Sequence, residues 1–172
     1  MAYHINPKRL KTKRSFLEKI SFNIKKLLIA PFIALGFKNV EYYYVHGEGN
    51  GNQLFLGENI STADAVFNIS SGNIFVRDNT IFAHDVHVLT GFHRFHKGRL
   101  AKLQEGAPKE VPLTGYDITI GSGCFIGSRA TILRGVTIGD NVIIGAGSIV
   151  TKDLPDNVFA AGMPAKIISS NF

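Results

Sequence analysis

The stretch ITIGSGCFIGSRATILRGVTIGDNVIIGAGSIV, residues 118–150, decides the fold. Displaced against itself by six residues, it brings Ile120, Ile126, Ile132, Ile138, Ile144 and Val150 into register. Glycine follows four of these six, as Gly121, Gly127, Gly139 and Gly145. Two residues before the same positions stand Ile118, Cys124, Ala130, Val136, Val142 and Ser148, all small or aliphatic. Residues two apart on a strand face the same side. Each short strand therefore points one small and one larger apolar residue inward, and glycine suits the backbone turn to the next strand. A six-residue period of this kind signals a parallel β-helix. With three hexapeptides to a triangular coil, Ile120 stacks on Ile138, Ile126 on Ile144 and Ile132 on Val150. A β-sandwich with glycine turns would not hold six consecutive positions in phase.

Upstream lies a more degraded block. It starts at Leu56-Gly57, with Ile60 and Val66 at inward positions, while Thr62 and Asn68 break the aliphatic rule. Val76, Phe82 and Val88 resume the period after a two-residue slip near Ile74. Residues 91–117 lack the repeat and carry Gly, Pro and charge, which marks a loop thrust out of the coil. A loop longer than about 15 residues in a compact domain is usually functional or disordered. The chain thus divides into a basic arm and helix at 1–50 and a β-helix domain at 51–172, with the inserted loop at 91–117.

In the arm, Ser15-Phe16-Leu17-Glu18 has capping-box spacing and predicts a helix start. Phe16, Leu17, Ile20, Ile24, Leu27 and Leu28 then form one apolar stripe at helical spacing, and Pro31 interrupts or ends the helix. Tyr42, Tyr43 and Tyr44 are a β-favouring run before the Gly47–Asn52 turn cluster. Residues 1–38 hold nine Lys/Arg and one acid, Glu18, a net of +8. The remaining ten Lys/Arg against twelve acids give −2. A basic amphipathic segment at 8–30 fits an anionic membrane surface, and the same stripe fits packing on the β-helix end or on a neighbouring subunit. The apolar run Leu27–Phe37 is too short to span a bilayer, which takes about 20 residues. No N-terminal stretch reads as a cleavable signal, so the expected location is the cytoplasm, at most peripheral at the inner face of the membrane. The single Cys124 excludes an intrachain disulfide and a multi-cysteine metal cluster. No nucleic-acid recognition motif accompanies the basic arm.

Ile120-Gly121 through CFIGSRATILRGVTIGDNVIIGAGSIVTKDLPDNVFAAGMPAKII resembles the C-terminal part of bacterial left-handed β-helix acyltransferases. That hexapeptide-repeat group includes galactoside, maltose and polysaccharide O-acetyltransferases. Gly162-Met163-Pro164-Ala165-Lys166 looks like its terminal signature, and IFAHDVHVLTGFHRF, residues 81–95, resembles its histidine-bearing segment. The likeness covers roughly residues 54–168. It implies a homotrimer with sites between subunits. It also implies acetyl transfer from acetyl-CoA to a sugar hydroxyl of a cell-surface glycan or its precursor, with no metal. N-acetylation of a nucleotide-linked amino sugar is the alternative within the family. A non-catalytic scaffold and a γ-type carbonic anhydrase are alternatives outside it. The anhydrase binds zinc through three histidines. His84 and His87, like His93 and His96, are three apart, which on a strand puts them on opposite faces.

Acetyl transfer needs a base for the acceptor proton, and histidine suits it. The family's histidine follows a Val-x-Thr-x-x-His pattern, which Val88-Leu89-Thr90-Gly91-Phe92-His93 matches. His93 is therefore the candidate base, with His84 and His96 as alternatives and His87 as a structural histidine. Asp85 or Asp117 is a candidate orienter by proximity in sequence. Coenzyme A, as in relatives, would lie along the C-terminal coils. Gly145, Ala146, Gly147 and Ser148 can let backbone groups approach its pantetheine, and Lys152 and Lys166 can meet its phosphates. Arg129 and Arg134 are further candidates. Phe125 stands where many relatives have tryptophan, keeping an aromatic and losing an indole N–H. Cys124 is at an inward position and is expected to be core packing rather than a nucleophile.

Overall fold

A computed structural model of the chain describes residues 43–170. The expected N-terminal helix, its stripe from Phe16 to Leu28 and the basic residues around it lie outside the described residues. The first six strands are β1 (Tyr44–His46), β2 (Leu54–Leu56), β3 (Val66–Asn68), β4 (Ile74–Val76), β5 (Ile81–Phe82) and β6 (His87–Leu89). The hairpin β7 (Phe95–His96) and β8 (Arg99–Leu100) follows. Then come β9 (Ile118–Ile120), β10 (Phe125–Ile126), β11 (Thr131–Leu133), β12 (Thr137–Ile138), β13 (Ile143–Ile144) and β14 (Ile149–Val150). The chain closes with β15 (Val158–Gly162) and β16 (Ala165–Ser170). No helix among the described residues is long and apolar enough to cross a membrane.

These short strands build three faces of a left-handed parallel β-helix. One face, A, is β1-β3-β6-β11-β14; the next, B, is β2-β4-β9-β12; the third, C, is β5-β10-β13-β15, closed by antiparallel β16. The register matches the six-residue period. Ile138 lies on Ile120, Ile144 on Ile126 and Val150 on Ile132. All six of these side chains are buried, as are the small partners Ile118, Cys124, Ala130, Val136, Val142 and Ser148. Each coil hydrogen-bonds the next through its backbone, as in the Gly121 N–H donating to the Ile138 carbonyl at 2.9 Å and the Gly127 N–H to Ile144 at 2.9 Å.

The upstream block departs from the expected pattern in detail. Val66, expected inward, instead alternates outward, and Phe67 takes the inward place, stacked on Val88 and buried. Thr62 does stand inward and is buried, whereas Asn68 faces outward and its side-chain carbonyl accepts the Ser70 N–H at 2.9 Å. The two-residue slip is the net of two opposite ones. The inward positions Thr62 and Phe67 are five apart, and Phe67 and Val76 are nine apart. Phe67 and Phe82 meet edge to face at 5.5 Å, filling with aromatic volume the place that isoleucine and valine fill in later coils. β1 pairs in parallel with β3, so the coil already begins before residue 51.

Aspartates of both blocks tie coil to coil. The Asp78 carboxylate accepts the Glu58 N–H at 2.8 Å, Asp140 the Ser122 N–H at 2.8 Å, Asp156 the Asp140 N–H at 2.8 Å and Asp153 the Thr137 N–H at 2.7 Å. Each reaches back to an amide of the preceding coil, a charge-assisted bond stronger than a neutral one.

Glycine at the corners answers a close approach. A Cβ at Gly121 would strike the Gly139 carbonyl, which is backbone and cannot swing aside. Gly121→Ala should therefore destabilise the fold by about 2 kcal/mol or more, read as a lowered urea midpoint with unchanged m-value.

Candidate active site

Residues 91–117 leave face A after β6 and re-enter face B at β9. The departing end is fixed first by Thr90, whose buried hydroxyl donates to the Asn68 carbonyl at 2.8 Å and accepts the Ser71 N–H at 3.1 Å. At the next residue a Cβ would meet the Asn68 side-chain oxygen at 2.7 Å, the atom that accepts the Ser70 N–H, and Gly91 leaves that bond undisturbed. The Phe92 ring then packs edge-on against Tyr116 from the returning end, with centroids 4.7 Å apart. Arg134, just past β11, lays its guanidinium 4.2 Å above the Phe92 ring. The Asn52 side chain donates to the Leu113 carbonyl at 2.7 Å, and the Asp117 carboxylate accepts the Asn73 N–H at 2.8 Å.

Between these anchors the segment is folded rather than plain loop. The hairpin β7–β8 leads into a 3-10 turn at Ala101–Leu103, and the Ala101 side chain is buried. The Arg94 N–H donates to the Glu110 carbonyl at 2.8 Å and the Ala101 N–H to the Arg94 carbonyl at 2.9 Å. This brackets His93 with Glu110, and the His93 Nδ1 lies 2.7 Å from Glu110 Oε1. An ionised carboxylate only accepts, so beside one, Nδ1 of the neutral ring is the donor and Nε2 is left with the lone pair. Lys102 Nζ lies 3.8 Å from the same oxygen. The His93 side chain remains 61% exposed, open to a reactant.

The other histidines stand elsewhere. His84 and His87 lie at the opposite edge of face A, at the turn into β6, where His84 Nδ1 is 3.5 Å from Asp64 and His87 Nε2 is 3.3 Å from Asp85. His96 is in the hairpin, its carbonyl accepting from the Gln104 side chain. Neither expected aspartate is the carboxylate at His93. Asp85 faces His87 and Arg129, the latter at 3.9 Å, and Asp117 caps the amide of Asn73. Glu110 was missed from sequence. The one signal available was its place in the same non-repeating segment as His93. Among the described residues no group of three or more His, Cys, Asp or Glu is placed to hold a metal.

Of the candidate cofactor residues, Gly145, Ala146, Gly147 and Ser148 form the corner from face C into face A. A Cβ at Gly145 would meet the Ala161 methyl at 2.8 Å. The Ser148 hydroxyl turns inward and accepts the Gly162 N–H at 3.1 Å, leaving this residue's contribution to its backbone. Lys166, on β16, pairs with Ala161 beside that corner. Phe125 faces outward on face C, 43% exposed, between Ile81 and Ile143. Lys152 lies past β14 at the far edge of face A, the edge from which the His93 segment departs. Cys124 is buried, donates to the Gly139 carbonyl at 3.2 Å, and burial pushes its thiol pKa up to about 11. It stays a neutral thiol at physiological pH and is packing.

Residues 117–152 match the family model described as the hexapeptide repeat of succinyl-transferase. The chain is 38% identical over 119 residues to galactoside O-acetyltransferase of Escherichia coli K12, covering 69% of this chain and 54% of that one. It is similar to the crystal structure of a maltose O-acetyltransferase from Clostridium difficile 630, at 30% identity and TM-score 0.56, over 77% of this chain and 67% of the other. A galactoside acetyltransferase in complex with coenzyme A aligns at 36% identity and TM-score 0.57, over 77% and 61%. The chain belongs to the hexapeptide-repeat acetyltransferase family. It spans about half the length of the curated relatives it matches.

Proposed function

We propose that this protein transfers an acetyl group from acetyl-CoA directly to a hydroxyl of a sugar in a cell-surface glycan or its precursor. His93 is the general base and Glu110 its orienting partner. The 2.7 Å contact between them carries the proposal. Glu110 fixes the Nδ1–H tautomer and so leaves Nε2 to take the acceptor proton. The freed alkoxide attacks the thioester carbonyl, forming a C–O bond and a tetrahedral oxyanion. Its collapse breaks the C–S bond, and the imidazolium returns its proton to the departing coenzyme A thiolate. Galactosides and maltose are the acceptors named for similar proteins, which supports a sugar hydroxyl here.

Two edges of the coil must meet for this chemistry. The Gly145–Ser148 corner and Lys166 lie where face A is entered, while His93 lies where face A is left. A face is about 15 Å wide at 3.3 Å per residue. Coils packed side by side bring the entry edge of one to the exit edge of another, which supports a homotrimer with shared sites. The outward apolar ladder of Ile81, Phe125, Ile143 and Phe159 supplies a surface for such packing, with Ile81 at 49% and Phe125 at 43% exposure. The apolar stripe at 8–30 with its flanking lysines and arginines would hold the assembly at the inner face of a membrane, near a lipid-linked acceptor.

His93→Ala should lower acetyl transfer about 100-fold or more without unfolding the chain, and Glu110→Gln about tenfold, both measured by thiol release from acetyl-CoA with a sugar panel. Near-normal turnover in the first variant would return the base to His84 or His96. Light scattering at micromolar concentration should give three times the chain mass, and a fully active monomer would refute the shared site. Co-sedimentation of the whole chain with anionic vesicles should occur at low salt and vanish at high salt. No binding at low salt would leave the stripe as a packing element.

A further inference from the structure

We propose that Arg134 is a positioning residue for His93, acting through Phe92; this rests on His93 being the base. The His93 ring is 61% exposed, so packing around the imidazole does little to fix it. Two things set its place: the Glu110 contact ahead of it in the chain, and the backbone that delivers it from face A. On that backbone, Phe92 is the last residue before His93. Its ring is held on two sides, by the Tyr116 ring at 4.7 Å between centroids and by the Arg134 guanidinium at 4.2 Å, with Arg134 also 5.9 Å from the Tyr116 ring. Arg134 comes from the coil after the inserted segment, whereas Phe92 and Tyr116 are that segment's two ends. The cation therefore clamps departure and return together against the rigid body of the coil. The neighbouring Gly135 N–H donates to the Tyr116 carbonyl at 3.3 Å and holds the same junction from the backbone.

A planar guanidinium suits this place, since it stacks on an aromatic face as a compact ammonium does not. Loosening the clamp frees Phe92 to turn, and a displacement of about 1 Å at the base is enough to cost turnover. The Gly145–Ser148 corner and Lys166, proposed to hold acetyl-CoA, lie on another edge of the same coil and are untouched. The effect accordingly falls on kcat and not on the KM for acetyl-CoA.

The test is steady-state kinetics on full-length variants whose melting temperatures are measured alongside. Arg134→Ala and Phe92→Ala should each lower kcat about tenfold with KM for acetyl-CoA unchanged. Arg134→Lys, which keeps charge and most of the bulk, should lose nearly as much, and Phe92→Tyr should recover most of the loss seen in Phe92→Ala. The double variant Arg134→Ala/Phe92→Ala should be no worse than the poorer single one, and Arg134→Ala should add nothing in a His93→Ala background. A raised KM for acetyl-CoA at unchanged kcat would overturn the proposal and make Arg134 a phosphate contact. So would full kcat in Arg134→Ala, or a further tenfold loss on top of His93→Ala. If His93→Ala itself keeps near-normal turnover, the base assignment fails, and this proposal with it; if His93→Ala is inactive and Arg134→Ala is not, only this proposal fails.

Discussion

Successive coils of this protein are bonded strand to strand in parallel, about 4.8 Å apart, and everything else is arranged around that spacing. It leaves each inward side chain one neighbour above and one below, of the same kind. Ile120 on Ile138 and Ile126 on Ile144 are the outcome, with Leu154 and Ala160 continuing those columns at the C-terminal end. It also brings corner backbones so close that Gly121 and Gly127 leave no room for a side chain. The same proximity lets an aspartate in one coil reach an amide of the coil before. The slightly acidic balance of residues 39–172 is thus in good part structural: Asp78, Asp117, Asp140, Asp153 and Asp156 are all engaged in this way.

A coil filled this completely has no interior left for chemistry. Phe67, Phe82 and the aliphatic columns occupy the axis, and the one thiol there is held neutral by burial. Reactive groups have to stand outside, and the inserted segment provides the place. Lacking the repeat, it cannot be held by the columns. It is held instead by contacts from several coils: the Asn52 side chain on the Leu113 carbonyl, the Asn68 carbonyl accepting the Thr90 hydroxyl just before the segment departs, and Arg134 over Phe92. Its own hairpin and 3-10 turn bring Glu110 back beside His93. An exposed contact of this sort adds little to stability. Its significance is geometric, because it decides which ring nitrogen is free.

The distribution of the remaining candidates follows from the triangle. Residues at the entry edge of face A, among them Gly145–Ser148, and residues at its exit edge, among them His93, are kept apart by the strands between them. Under the proposed function a single coil therefore carries the two parts of the site on different edges, and the apolar ladder on face C is the kind of surface that association would cover.

By itself the sequence determined the columns of the C-terminal coils, the inward place of Cys124 and the extent of the inserted segment. These are local: a period of six written in consecutive residues dictates which side chains stack, whatever surrounds them. Only the tertiary structure decided the rest. In the N-terminal coils two opposite departures from the period of six, a spacing of five and then one of nine, put Phe67 inward in place of Val66, because a shift of one residue turns a strand's faces over. Asp85 and Asp117, near in sequence, went to other duties, while Glu110, seventeen residues from His93, became its partner. A pairing closed by a folded loop has no period to announce it. It depends on where the chain returns, and that is set by contacts such as Arg134 on Phe92 and Asn52 on Leu113, which join residues no repeat relates.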